Sequence, residues 1–294
     1  MTKSNWNEDY FKYLTQKLDK NLSKNPVVSE VENLIKSIAP QEEIVKVLEI
    51  GCFTGSLINR IYQNLDSELK GKVKTIGIDS DLEALKRGVK KYSEITFVYG
   101  QLCKNLPLFP QYDIVILSNI LHEVYSGNKN QSPKLKVNNA IKESIKLLND
   151  HGCLVILDGI KPENPQKRIL LHTENPVSFN KFLNFSKEYK ALRIKAKVLG
   201  ENQIETVVES LSAFLTKSRY MEESYWEQES NQLYQYFTEK DFRKILTKLG
   251  MEIIRLEQIK FEKKEIENQF TLIKPKIDFP PKNALIVAKV LRRK

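Results

Sequence analysis

The 294-residue chain reads as one α/β domain built on a parallel sheet, and three observations carry that reading. An apolar run, Val47 to Ile50, stops at a glycine turn, Gly51-Cys52-Phe53-Thr54-Gly55. Helix-like text follows, and a second apolar run closes on an acid, Asp79. Short buried runs then keep alternating with amphipathic segments as far as Gly159, the pattern of strands joined by crossover helices. With 41% apolar residues the chain can bury one large core, so one decorated domain fits better than two independent ones.

Composition sets outer bounds. No run approaches the roughly 18 apolar residues that span a bilayer. The start, Met1 to Asp9, has no apolar region of the secretory kind. Cys52, Cys103 and Cys153 are an odd, widely spaced set without metal-ligand spacing. The expectation is a reduced, cytoplasmic protein with no membrane contact and no bound metal.

The glycine turn sets the chemistry. In such a sheet a ligand lies beyond the carboxyl ends of the strands, where the first strand-to-helix loop must let it touch the backbone. Gly51 and Gly55 suit that loop, because glycine adopts positive φ and has no Cβ to bar the approach. Asp79 is placed to accept hydrogen bonds from both hydroxyls of a ribose. The dinucleotide pattern Gly-x-Gly-x-x-Gly fails, since counting from Gly51 puts Phe53 and Ser56 at its second and third glycine positions. Glu49-x-Gly51-x-x-x-Gly55, with Asp79 after the next strand, resembles instead the first motif of class I S-adenosylmethionine (SAM)-dependent methyltransferases, with Phe53 in place of the middle glycine. The resemblance implies a seven-stranded Rossmann-like methyltransferase sheet with helices on both faces, and SAM as the cofactor. It further implies a cofactor site of Glu49, Gly51, Cys52, Phe53, Gly55, Asp79 and Ser80, joined by Gln101, Ser118 and Asn119 from later strand ends.

The elements follow in order. Val31, Leu34, Ile35 and Ile38 recur at helical spacing before the first strand. After Asp79, the run Ser80 to Leu85 predicts a helix capped by Ser80, with Glu83 three residues on. A third strand over residues 94–99 leads to Gln101, which by the resemblance holds the adenine amino group through its side-chain carbonyl. A fourth, over 113–117, opens into Ser118-Asn119 and then His122-Glu123, where members of that family commonly carry an apolar-His-Glu segment close to the methyl donor. A helix from about Pro133 to Asn149 is expected to turn at Asp150-His151-Gly152 into a fifth strand over 153–157. Residues 238–250 read as a capped amphipathic helix closed by Gly250, and 251–256 and 284–288 as the last two strands. The likeness covers residues 40–160 and 238–294, the two parts of the core.

Two segments decorate that core. Residues 1–39, with Trp6, Tyr10, Phe11, Tyr13 and Leu14, are expected to form a helical lid segment, and residues 161–237, opened by Pro162, Pro165 and Pro176, a helical cap insertion after the fifth strand. The insertion is dense in aromatics, from Phe214 through Tyr220, Tyr225, Trp226 and Tyr234 to Tyr236-Phe237. Tyr225, Trp226 and Arg219 are the expected acceptor-binding residues, although core packing is the plainer account of any single aromatic.

His122 is the candidate base, because an unperturbed imidazole titrates near neutrality; Glu123 or Tyr125 would orient it or touch the acceptor. The alternative is that His122 shapes the cofactor pocket. His151 and His172 have no evident partner. No Asn/Asp-Pro-Pro-aromatic motif follows the fourth strand, and no His/Cys/Asp cluster has zinc spacing. The expected reaction is therefore metal-independent transfer of a methyl group to O, N or C of a small molecule or modified peptide. A net charge of +10 keeps RNA open as an alternative acceptor. Lys181, Lys187, Lys190, Arg193, Lys195 and Lys197 cluster in the insertion and Arg292-Arg293-Lys294 end the chain, a pattern that can track phosphates or simply solvate helix faces. A non-catalytic module that keeps the SAM fold is the third reading.

Overall fold

The computed structural model describes residues 24–104, 106, 112–127, 131–267, 269–275 and 280–291. The aromatics Trp6 to Leu14 and the basic end Arg292 to Lys294 lie outside them. Helix α1 (Asn25–Ile38) begins at a proline and buries Val27, Val28, Val31 and Ile35. Strands and helices then alternate: β1 (Val45–Ile50), α2 (Ser56–Asn64), α3 (Ser67–Lys72), β2 (Val73–Asp79), α4 (Leu82–Lys91), β3 (Ile95–Tyr99), β4 (Tyr112–Ser118), α5 (Leu121–Ser126), α6 (Pro133–Lys146) and β5 (Leu148–Gly159). The insertion carries β6 (Arg168–His172), α7 (Pro176–Glu188), β7 (Ala196–Gly200), β8 (Gln203–Val207), α8 (Val208–Lys217) and α9 (Trp226–Ser230). The chain ends with α10 (Glu239–Lys248), β9 (Met251–Lys260), α11 (Lys263–Glu267), β10 (Thr271–Lys274) and β11 (Pro281–Val290).

The main sheet has seven strands in the order β3-β2-β1-β4-β5-β11-β9, as the resemblance implies. β1 to β5 run parallel, and β11 is antiparallel to both its neighbours. Alternate residues of each buried strand feed opposite faces. Leu48, Ile50, Val115, Leu117 and Ile156 pack with Val137 of α6 and Phe242 and Leu246 of α10. Val45, Val47, Ile114, Ile116 and Val155 pack with α1 and with Leu57, Ile58 and Ile61 of α2. Strand order reverses between β1 and β4, so a crevice opens there at the carboxyl ends.

Three expectations are corrected. The helix after Asp79 is capped by Asp81, not Ser80: the Asp81 carboxylate accepts from the amides of Glu83 and Ala84, and the helix starts at Leu82. The expected turn Asp150-His151-Gly152 lies inside β5, which begins at Leu148 because Leu148 pairs with Tyr112 and Asn149 donates to Asp113. The insertion has the expected helices but also an antiparallel sheet, β10-β6-β8-β7, with β10 supplied from beyond β9. Its strands are only four or five residues long, and β7 is exposed throughout, so alternation does not announce them. Phe182, Phe185, Phe214 and Phe270 form the insertion's own core. Among the described residues no helix is long and apolar enough to cross a membrane.

Candidate active site

Five residues after β1 build the floor of the crevice. Gly51, Phe53 and Gly55 all have positive φ, at 75°, 52° and 78°. The middle position therefore takes the left-handed conformation of a glycine loop although its residue is Phe, a strain of about 1–2 kcal/mol. What holds it is Asp79: one carboxylate oxygen accepts from the Phe53 amide at 2.7 Å, the other from the Asp81 amide at 2.8 Å. Burial pushes the Asp79 carboxyl up, and these backbone donors pull it back down. The amides of Gly51 and Cys52 both donate to the Ile78 carbonyl, tying the loop to β2. A Cβ at Gly55 would come within 2.6 Å of the Phe97 ring, so the loop can approach β3 only without one.

Glu49 is buried at the end of β1 and accepts from the Ile58 amide at 3.2 Å in the first turns of α2. Burial raises its carboxyl to about 7, and the buried ammonium of Lys24 opposes that rise. The Lys24 ammonium is itself depressed, by burial first, with Glu49 pulling it back up. Cys52 is a buried thiol, raised by burial and by Glu49 and Asp79, and it packs against Gly77. Ser80 is exposed at the lip. Gln101 follows Gly100, whose amide donates to the Asp79 carbonyl, so the end of β3 stands beside the end of β2. Thr54 Oγ1 and Ser118 Oγ are buried without a hydrogen-bond partner among the described residues.

The other side of the crevice comes from the ends of β4 and β5. Asn119 has φ 56°, which asparagine tolerates better than most residues, and its amide donates to the Leu157 carbonyl. Asp158, almost fully buried, gathers four donors. One oxygen takes the amides of Leu121 and His122 at 2.7 and 3.3 Å; the other takes the Gly159 amide at 2.7 Å and His122 Nδ1 at 3.0 Å. A carboxylate only accepts, so His122 Nδ1 is the donor of this pair, and in the neutral imidazole Nε2 keeps the lone pair. Glu123 is partly buried; burial raises it to about 7, and Asp79, Glu229 and Asp158 add to that while His122 opposes it. Tyr125 turns away, stacking on Tyr236 at 5.1 Å and meeting Phe237 edge-on.

The insertion contributes one ring to this side. Tyr234 packs against the His122 imidazole at 4.5 Å, and its hydroxyl donates to Asn119 Oδ1 at 2.6 Å. The expected acceptor residues divide. Exposed Arg219 covers the Tyr220 ring and donates to its hydroxyl, and Tyr225 is buried beside Tyr220. Trp226 is built into the insertion's core, on Phe185 and Tyr189, with its indole N–H on Glu188. Phe214 lies in that core too, while Tyr236 and Phe237 belong to the core of the main sheet. The sequence pointed to Tyr234 only as one of the insertion's cluster of aromatics, and it did not single out Asp158 or Lys24. Asp158 carried the same signal as Asp79, an acid at the end of a buried strand.

No family model matches the chain. Its structure is similar to that of an S-adenosylmethionine-dependent methyltransferase from Mesorhizobium loti, with a TM-score of 0.51 and 12% identity over 92% of this chain and 99% of that one. It is also similar to a magnesium protoporphyrin IX methyltransferase from Synechocystis PCC 6803, with a TM-score of 0.49 and 15% identity over 92% of this chain and 85% of that one. In sequence it is 27% identical over 153 residues to a probable polyketide synthase 42 of Dictyostelium discoideum, which covers 46% of this chain and 5% of that one. The chain thus spans about a twentieth of the curated relative it matches. Its fold is that of the class I SAM-dependent methyltransferases.

Proposed function

We propose that the chain is a SAM-dependent methyltransferase acting on a small molecule or modified peptide, with His122 as the base. The Asp158–His122 pair carries this reading, because it fixes a buried imidazole through Nδ1 at the carboxyl ends of β4 and β5, the edge of the sheet that also carries the glycine loop after β1. The residues present fit the cofactor. Asp79 suits its ribose hydroxyls and Gln101 its adenine. The oppositely charged, buried Lys24 and Glu49 match the carboxylate and ammonium of an amino-acid tail, and the unpartnered hydroxyls of Thr54 and Ser118 offer further bonds.

SAM, when bound, supplies a methyl group already activated on a positively charged sulfur. The protein's share is orientation and proton handling. Asp158 fixes the imidazole so that Nε2 can take the proton that an oxygen, nitrogen or carbon acceptor gives up. Glu123, raised toward neutrality beside it, lines the same side and can hold a proton or an acceptor group. The partial likeness to a polyketide synthase supports a small-molecule acceptor over RNA.

The test is transfer of radiolabelled methyl from SAM, by the purified protein, into a cell extract split into small-molecule, protein and nuclease-sensitive fractions. Label in the small-molecule or peptide fraction is expected. Nuclease-sensitive label would replace the proposed acceptor with RNA, and no label with intact SAM binding would favour a binding module.

A further inference from the structure

We infer that Tyr234 is a positioning residue, supplied by the insertion, whose ring holds the His122 base and whose hydroxyl holds Asn119 on the cofactor side. The inference rests on the reading of the site as a SAM-dependent methyltransferase.

Tyr234 belongs to a strap, residues 231–237, that crosses the end of β5 between α9 and α10. The strap is fixed along its length. Gln232 accepts from the Tyr189 hydroxyl at 2.7 Å, the Leu233 amide donates to Ser126 Oγ at 2.8 Å, and Phe237 accepts from the Lys161 amide at 2.7 Å. Beneath it a Cβ at Gly159 would lie 2.1 Å from the Tyr234 carbonyl oxygen, so the strap can lie this low only over glycine. Behind the ring, the buried ammonium of Lys217 sits 5.7 Å from its centroid and pairs with Glu229 at 2.5 Å.

The two contacts of Tyr234 do different work. The ring packs at 4.5 Å on the imidazole and blocks rotation about the His122 Cβ–Cγ bond, the motion that would take Nδ1 off Asp158. The hydroxyl donates to Asn119 Oδ1 and fixes a side chain standing on a left-handed turn. Burial, with Asp158 adding to it, keeps the phenol well above its ordinary range, so it stays a donor and takes no part as a base. Asn119 and His122 lie three residues apart on one turn, and a single residue from outside the main sheet supports both.

Two variants separate the jobs. With S-adenosylhomocysteine as the titrant, calorimetry of Tyr234→Phe should show affinity about 5-fold weaker, the worth of one lost hydrogen bond. Nitrogen-15 NMR of the three histidines should still find His122 in a single Nδ1-protonated tautomer. Tyr234→Leu should lose the same affinity and also show both tautomers of His122. Tyr236→Leu, which removes a neighbouring strap ring that packs on Tyr125 and Phe237, should lower stability and move neither readout. Wild-type affinity in Tyr234→Phe, or a single tautomer kept in Tyr234→Leu, overturns the inference. Failure of the wild-type protein to bind S-adenosylhomocysteine overturns the methyltransferase reading instead, and the tautomer measurement on the free protein still tests the ring.

Discussion

Residue chemistry in this site is set by burial beside a small number of fixed donors. Asp158 has its oxygens filled by three backbone amides and one imidazole nitrogen, so its charge is spent on holding His122. His122→Ala should therefore slow methyl transfer by about 10²–10⁴-fold. Asp158→Asn should fall in the same range, and the double variant should be no slower than the worse single, because the pair acts as a unit. Steady-state rates with the acceptor found by labelling, alongside unchanged SAM affinity in His122→Ala, are the check; a loss of SAM binding would make His122 a pocket residue. Glu123 gives the opposite electrostatic case. Its carboxyl titrates near 7 in the folded protein and near 4.5 unfolded, so the folded state holds the proton more tightly. Stability is untouched below the unfolded value, falls as pH rises from about 4.5 to 7, and stays low above that. Burial is the main cause of the rise, with His122 opposing it and Asp79, Glu229 and Asp158 adding to it, so Glu123→Gln should be more stable than wild type by about 1–2 kcal/mol at pH 8 and equal to it at pH 4. Urea denaturation at both pH values measures this, and a gain that fails to grow with pH would show that burial is not what raises the group.

At the scale of elements, legibility followed the strength of local signals. Strands β1, β2 and β4 are short buried runs bounded by turns, and they lie where the apolar text put them. Helix α10 announced itself through Thr238 and Asp241, which form a reciprocal capping box. The cap of α4 was misplaced by one residue because Ser80 and Asp81 are both good caps and only the backbone turn around Asp79 decides between them. Asp158 and Tyr234 could not be joined to His122 from sequence: the first pair is 36 residues apart, and the second rests on a strap whose path depends on Gly159. That dependence is testable. Gly159→Ala sets a methyl group against backbone rather than a flexible side chain, so the strap must shift, at a cost of about 1–3 kcal/mol. The shift should also free the Tyr234 hydroxyl from Asn119, seen as a sharper loss of cofactor affinity than thermal stability alone accounts for. A variant as stable as wild type would show that the strap can ride over a methyl.

At the scale of the whole molecule the question is whether core and insertion are one cooperative body. The chain leaves the main sheet after β5, builds three strands of the second sheet, returns for α10 and β9, then crosses back to add β10 before finishing with β11. The second sheet is therefore joined to the first by four chain crossings, and its fourth strand, set between β9 and β11 in the chain, depends on both for its place. Phe270, next to β10, carries that dependence into side-chain packing: it is almost fully buried and meets Phe182 and Phe214 at 5.9 and 5.4 Å. Removing it empties a ring-sized space in the insertion and should cost about 3–5 kcal/mol. If the two sheets unfold together, that loss falls on the whole chain. Calorimetry of Phe270→Ala should then show one transition, moved down by about 5–8 °C for a chain of this length, with equal van't Hoff and calorimetric enthalpies. The alternative outcome is an early small transition with the main one left where it was. It would mean that the insertion melts alone and that Tyr234 leaves the imidazole of His122 long before the sheet beneath it gives way.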